Sequence, residues 1–216
     1  MSNLSGQQVA DEALAGWVNL VGGLQTRIPT GSFATGLTVV NAIGAAAEEM
    51  DHHPDLDLRY GHLDVRLSSH DTHGITKRDI RLARRISTIA ADAGLHLEAG
   101  SLSRLELALD APAFEKVLPF WAAVLGLDAV VPEAGDELRD PSGVLPTVWF
   151  QRSGRETDRQ RWHPDVWLDP DAVQARIDAA LAAGGSLVSD EEAPSFWVLA
   201  DSDGNRVCLC TWQDRD

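Results

Sequence analysis

The sequence is short of cysteine, tyrosine and basic residues, and it contains no long apolar run. Its two cysteines are Cys208 and Cys210, in "RVCLCTW". On a strand they would point to one face. Two thiols at this spacing give neither a disulfide framework nor a zinc pattern, so they are expected to be small buried side chains. No apolar stretch approaches the ~20 residues that span a bilayer. The start "MSNLSGQQVADEAL" lacks the basic, then apolar, pattern of a secretory signal. A cytoplasmic location with no membrane partner is therefore expected. Against 33 Asp and Glu there are only 18 Lys and Arg, a formal charge of −15. Such a surface repels phosphate backbones, so nucleic acid is excluded as a partner.

Histidine is also sparse, at seven residues, yet five of them fall within "AAEEMDHHPDLDLRYGHLDVRLSSHDTHGIT", residues 46–76. With a pKa of about 6.5, imidazole is the usual proton carrier at neutral pH and a common metal ligand. Glu48 and His52 stand four apart on one helix, so they share a face one turn from each other. His53 falls in the extended stretch that Pro54 imposes. His70 lies just past a strand, and Asp79 sits in the first turn of a helix. If strand and helix pack together, His52, His53 and His70 can meet Glu48 and Asp79, which gives an acid and a base for chemistry that moves two protons. His62 and His73 read as surface residues. His70 and His73 form an H-x-x-H pair, but adjacent residues such as His52 and His53 seldom point at one ion, so no metal is expected.

Around the cluster, "VADEALAGWVNLVGG" reads as a short helix and "GLQTRIPT" as a strand with Pro29 at its end or at a sheet edge. A helix from Ser32, its N-cap, to near His52 shows Phe33, Leu37, Val40, Ile43, Ala47 and Met50 at helical spacing. "LRYGHLDVRLSS" alternates, with Leu63, Val65 and Leu67 on one face and His62, Asp64, Arg66 and Ser68 on the other. As an unpaired edge it would suit self-association. "TKRDIRLARRISTIAADAGL" opens with a capping box, Thr76 and Asp79, and carries Ile80, Ala83, Ile86, Ile89 and Ala90 inward.

"GLHLEAGSLS" (94–103) is the expected linker between domains 1–98 and 99–216. Six of the seven tryptophans follow it. The pattern then becomes strand, helix, strands, given twice. "RLELALD", the helix "APAFEKVLPFWAAVLGL" (kinked at Pro119), "DAVV" and "PTVWFQR" come first. "DVWLD", the helix "PDAVQARIDAALAAGG", "SLVSD", "SFWVLA" and "RVCLCTW" follow, with a turn "SDGN" between the last two.

Residues 46–86 resemble the core of the pterin-4a-carbinolamine dehydratases. The resemblance rests on Glu48, His52-His53-Pro54, Tyr60, Ser69-His70, Gly74-Ile75-Thr76, Asp79 and Leu82-Ala83, without a gap. It extends more weakly upstream through Trp17, Leu24, Ile28 and Phe33. Ile28 and Thr30 replace usual phenylalanines, and Ser69 stands where threonine is common. The resemblance implies a lyase that removes water from a 4a-hydroxytetrahydropterin to give quinonoid dihydropterin. His52, His53 and His70 would do the acid–base work, and Glu48 and Asp79 would hold or polarise them. The pterin would lie against Asp51, His52, His53, Ser68, Ser69, His70 and Asp71, with no cofactor and a homo-oligomeric assembly.

The second half is similar to vicinal-oxygen-chelate domains of the glyoxalase/bleomycin-resistance type, through "FWAAVLGL", "WHPDVWLDP" and "LADSDGNRVCLC". Metal-using members carry His or Glu where this chain has Arg104, His163 and Arg206. Arginine cannot bind a cation, which implies a binding domain rather than a metal enzyme. Trp121, Trp149, Trp162 and Trp197 fit core and pocket alike. The whole is expected to be α+β, an antiparallel sheet with helices on one face followed by a paired βαβββ domain. A non-catalytic dimerisation module, or a metal-dependent lyase or dioxygenase in the second half, are the alternatives.

Overall fold

A computed structural model describes residues 2–130, 136–152, 162–200, 204 and 206–215; the side chains of residues 116, 120, 123, 124 and 130 are also left undescribed. The chain divides into two compact units. One is Met1–Leu102 with Asp169–Ala172 and Thr211–Asp216; the other is Ser103–Leu168 with Val173–Cys210. Among the described residues no helix is long and apolar enough to cross a membrane.

The first unit runs α1 (Gly6–Ala10), β1 (Val18–Leu20), β2 (Gly23–Pro29), α2 (Phe33–Met50), β3 (Asp55–Leu58), β4 (His62–Leu67) and α3 (Lys77–Asp92). Its four strands form one antiparallel sheet in the order β1-β2-β4-β3. The alternation in β4 works as read: Leu63, Val65 and Leu67 are buried while His62, Asp64 and Arg66 are not. Those three apolar residues share one core with Val39 and Ile43 of α2 and Ile80, Ala83 and Ile86 of α3, so both helices cover the same face. Gly36 allows close approach, because a Cβ there would stand 2.5 Å from Leu58 Cδ1 of β3.

Several expectations change here. The first helix is one short α1, capped by Ser5 and Gln8, and the residues read as its end, Val18–Leu20, form β1. Phe33 and Leu37 are exposed, at 49% and 46%, because α2 buries Gly36, Val39, Ile43, Ala46 and Ala47 instead. Gly36 lies at the centre of that buried face's first turn against Leu58, and a count of apolar residues gives glycine no weight. β4 is not an edge strand: β2 and β3 pair with its two sides, and β3, within "PDLDLR", went unread because it is short and half acidic. Much of the expected linker belongs to the first unit. Leu95 and Leu97 pack on its core, and Glu98 exchanges two 2.9 Å backbone hydrogen bonds with Arg27.

The second unit is the expected pair of βαβββ modules. The first has β5 (Ser103–Ala111), α4 (Leu118–Leu125), β6 (Asp128–Val130), β7 (Glu137–Arg139) and β8 (Thr147–Arg152). The second has β9 (Trp162–Leu168), α5 (Val173–Ala182), β10 (Ser186–Ser189), β11 (Phe196–Ala200) and β12 (Arg206–Cys210). Together they make one sheet in the order β10-β11-β12-β9-β5-β8-β7-β6, with the leading strands β5 and β9 antiparallel at its centre. Pro119 does not kink a long helix. It lies in the first turn of α4, where proline needs no hydrogen-bond partner, and a separate 3-10 turn, Phe114–Lys116, precedes it. Most of the "SDGN" turn lies outside the described residues.

Each module has its own apolar core. Leu109, Val148 and Phe150 form one with Trp121 and Trp162; Leu168, Ile177 and Leu209 form the other with Trp197. The strand period of two puts Glu106, Trp149, His163, Asp165, Trp167 and Cys208 on the opposite face. Glu106 is 8% exposed and accepts a 2.6 Å hydrogen bond from Trp167 Nε1. Burial pushes its carboxyl up to about 7, with Glu137 and Asp165 adding to the rise against the Trp167 bond.

The native state therefore keeps a proton on Glu106 that the unfolded chain releases near its ordinary pKa of about 4.3. Stability from this group is fully present below that value and is lost as pH rises toward 7. Glu106→Gln keeps an acceptor for Trp167 and removes the titration. In metal-free buffer, the wild type should lose about 3 kcal/mol more than the variant between pH 4 and pH 8. Denaturant titration followed by tryptophan fluorescence measures this, since five of the seven tryptophans lie in this unit.

Candidate active site

The end of α2 sets the direction of both leading histidines. Asp51 takes the left-handed conformation (φ 46°, ψ 45°), and two reversed hydrogen bonds close the helix. Asp51 N–H donates to Glu48 O at 3.3 Å, and His52 N–H donates to Ala47 O at 3.1 Å. This is a Schellman ending, for which aspartate is among the few non-glycine residues that tolerate the backbone. The reversal turns His52 inward, where it is 7% exposed. His53, one residue on, stays at the surface with Glu48.

Asp79 waits at the start of α3. Thr76 is the N-cap and Asp79 the third helical residue, so the capping box draws the carboxylate back over the helix start. Asp79 is fully buried. Its Oδ2 accepts from Thr76 N–H at 2.7 Å, Ser69 Oγ at 2.7 Å and Thr76 Oγ1 at 3.3 Å. Its Oδ1 lies 2.8 Å from His52 Nε2. A buried carboxylate is costly unless its lone pairs are taken up, and here partners from three chain segments do so.

The loop after β4 carries the third histidine. Ser69 and Gly74 form a bridge that closes the loop, with Ser69 N–H donating to Gly74 O at 2.8 Å. Asn3 Nδ2 donates to Thr72 O at 2.9 Å, and Leu4 N–H to Ile75 O at 2.8 Å, which ties the N-terminus to the loop. His70 follows Ser69 directly, is exposed, and has no hydrogen bond among the described residues. Asp71 pairs with Arg78, whose guanidinium holds that carboxyl below the usual carboxylate range. Ser68 Oγ accepts from Arg66 Nη1 at 3.1 Å.

The expected cluster is thus split into a buried part and an exposed part. His52, Asp79, Ser69 and Thr76 form one bonded group, and His70 is joined to it through the chain. Glu48 does not share a face with His52. Because the helix stops at Met50, its Oε1 meets His53 Nε2 at 3.0 Å, with both side chains exposed. His62 stands 4.0 Å from Asp64, which is already clamped by Arg27 at 2.6 and 2.7 Å. His73 occupies a left-handed turn position (φ 51°) and is exposed. Thr76 was readable as a cap, but its place in the buried network was not.

The polar face of the second unit was missed as a group. Asp165 Oδ2 accepts from Trp149 Nε1 at 2.9 Å, and its Oδ1 is 3.5 Å from His163 Nε2. Trp149 meets the His163 ring edge-on, with centroids 5.9 Å apart. Of the four undecided tryptophans, Trp149 alone lies on this face. Cys208 is half-buried beside Asp165 rather than a mere core filler.

A family model described as pterin 4 alpha carbinolamine dehydratase matches residues 2–89, and one described as a glyoxalase-like domain matches residues 106–210. A protein of Herpetosiphon aurantiacus, provisionally named pterin-4-alpha-carbinolamine dehydratase, is 40% identical over 86 residues, 40% of this chain and 90% of its own. One of Mycolicibacterium smegmatis with the same provisional name is 36% identical over 94 residues, 43% of this chain and all of its own. A solved transcriptional coactivator/pterin dehydratase from Brucella melitensis shares 28% identity, over 41% of this chain and 99% of that one, with a TM-score of 0.40. Through its first unit the chain belongs to the pterin-4a-carbinolamine dehydratase family, and a glyoxalase-like domain follows it.

Proposed function

We propose that the first unit dehydrates a 4a-hydroxytetrahydropterin to quinonoid dihydropterin and water, by histidine acid–base catalysis without a cofactor. The observation that carries this reading is the buried Asp79 network, which holds His52 in one orientation beside the loop of His70. In the reaction the C4a–O bond breaks as the hydroxyl is protonated. The N5–H bond breaks as a base takes that proton, and a C4a=N5 double bond forms. One proton is delivered and one removed, so two groups of pKa near neutrality are needed.

An ionised Asp79 can only accept hydrogen bonds, so His52 Nε2 is assigned as the donor to it. That leaves Nδ1 of His52 as the nitrogen free to work. His53, supported by Glu48, and His70 complete the acid–base set. Asp51, Ser68, Ser69 and Asp71 form the ends of the two segments against which the pterin would rest. Ser69 acts indirectly, because its hydroxyl is committed to Asp79. The expected homo-oligomer belongs to the same reading, with the outer edge of β3 as a strand open to a second copy.

The deciding experiment is steady-state dehydration of chemically generated carbinolamine, followed by the absorbance of quinonoid dihydropterin. His52→Ala and His70→Ala should each lower kcat by about 10²-fold or more, the usual scale for acid–base groups. His53→Ala should lower it measurably, while His62→Ala and His73→Ala stay near wild type. A wild-type rate no faster than the uncatalysed one would refute the reading, and an effect of His62→Ala equal to that of His70→Ala would refute the assignment.

Asp79→Asn separates orientation from folding. The amide can keep one acceptor but places a donor among groups that already donate, which leaves a buried mismatch. It should cost about 1–3 kcal/mol of stability and reduce kcat well beyond what the loss of folded protein explains. Circular dichroism melts alongside kinetics at a temperature where the variant is folded measure both.

A truncation tests whether the chemistry is confined to the continuous segment 1–102 of the first unit. Residues 1–102 should be soluble and keep the dehydratase kcat within about twofold, since a fragment of roughly 100 residues can bury enough surface to fold. A fragment that is folded by circular dichroism but inactive would place part of the active site elsewhere in the chain.

A further inference from the structure

We propose that Asn3, in the segment ahead of α1, is a positioning residue that fixes the loop carrying His70. The inference rests on the dehydratase reading, in which His70 supplies one of the acid–base groups. An acid or base set on a loop works only where the loop holds it in place. The neck of this loop is closed by Ser69 N–H donating to Gly74 O at 2.8 Å, and Ser69 Oγ ties it to Asp79 at 2.7 Å. The tip, His70 to His73, is exposed or half-buried and adds nothing to the apolar core. Its bend also runs against local preference, since His73 takes φ 51°.

Among the described residues, two hydrogen-bonding side chains from outside the loop reach this tip. Arg78 pairs with Asp71, and Asn3 Nδ2 donates to Thr72 O at 2.9 Å. Asn3 is itself held. Leu4 N–H donates to Ile75 O at 2.8 Å, Leu4 packs on the core, and Ser5 caps α1, whose Val9 is buried in that core. Gly74 supplies an independent observation. A Cβ there would stand 2.6, 2.7 and 2.9 Å from Nδ2, Cγ and Oδ1 of Asn3, its three nearest atoms. Gly74 does not take the left-handed backbone. Space rather than conformation requires glycine at this position, and the Asn3 amide takes that space.

The test uses the full-length chain and chemically generated carbinolamine. Asn3→Ala and Asn3→Asp should each lower kcat about fivefold, the size of one net hydrogen bond, and leave KM within about twofold. Asn3→Asp keeps the shape and loses the donor, so equal effects assign the loss to the hydrogen bond. Gly74→Ala should act alike by displacing the amide, and the double variant Asn3→Ala/Gly74→Ala should be no worse than either single one. In a His70→Ala background, Asn3→Ala should cost nothing further, a coupling that a general loss of stability would not produce. Hydrogen exchange read by mass spectrometry, without substrate, should be several-fold faster over residues 69–76 in Asn3→Ala and unchanged in β2. This arm reads the tether with no turnover, so a wild type no faster than the uncatalysed reaction would sink the dehydratase reading while exchange still judges the tether. Wild-type kcat in either Asn3 variant, an undiminished Asn3→Ala effect in the His70→Ala background, or unchanged exchange over residues 69–76 would each overturn the proposal.

Discussion

The site of the first unit depends on one buried carboxylate. Asp79 ties the start of α3, the loop after β4 and the end of α2 to a single pair of oxygens. The hydrophobic core positions the two helices and the sheet; the carboxylate fixes where their ends lie. Its desolvation is offset by hydrogen bonds that double as the alignment of His52. The fold of this unit and the placement of His52 therefore share one interaction.

What could be read in the sequence follows from which signals are local. The capping box Thr76–Asp79, the alternation in β4 and the N-cap Ser32 are set by residues a few positions apart, and the structure has them where they were read. The pairing of Asp79 with His52 spans 27 residues and was only allowed for as one of several arrangements. Glu48 was given to His52 on helical spacing. A left-handed aspartate ended the helix two residues short and moved the pairing to His53, because backbone reversal at a non-glycine residue leaves little trace in sequence. The buried face of α2 differs from the apolar spacing for a related reason: Gly36 lies against Leu58 of β3, and its contribution is the absence of a side chain.

The second unit shows the same limit on a larger scale. Its doubled strand and helix pattern was legible, because each module repeats the order and both leading strands end up at the sheet centre. Its polar face was not, because it assembles residues from β5, β8, β9 and β12 that lie up to about a hundred positions apart. Expected positions single out Arg104, His163 and Arg206 and leave out Asp165 and Cys208, which share the polar face. Strand register, which sequence gives poorly, brings those two side by side.

The two units also use buried carboxylates in opposite ways, and the number of donors decides which. Asp79 is met by a backbone N–H, two hydroxyls and an imidazole, so its lone pairs are spoken for and it works as an anchor. Glu106 receives the Trp167 indole N–H and has Asp165 and Glu137 as neighbours. Burial and these two carboxylates outweigh the Trp167 bond and the charge of Arg139, so it keeps its proton to near neutrality. The first unit has thus built its compensation into the chain, while the second avoids the cost of a buried charge by keeping the carboxyl of Glu106 protonated.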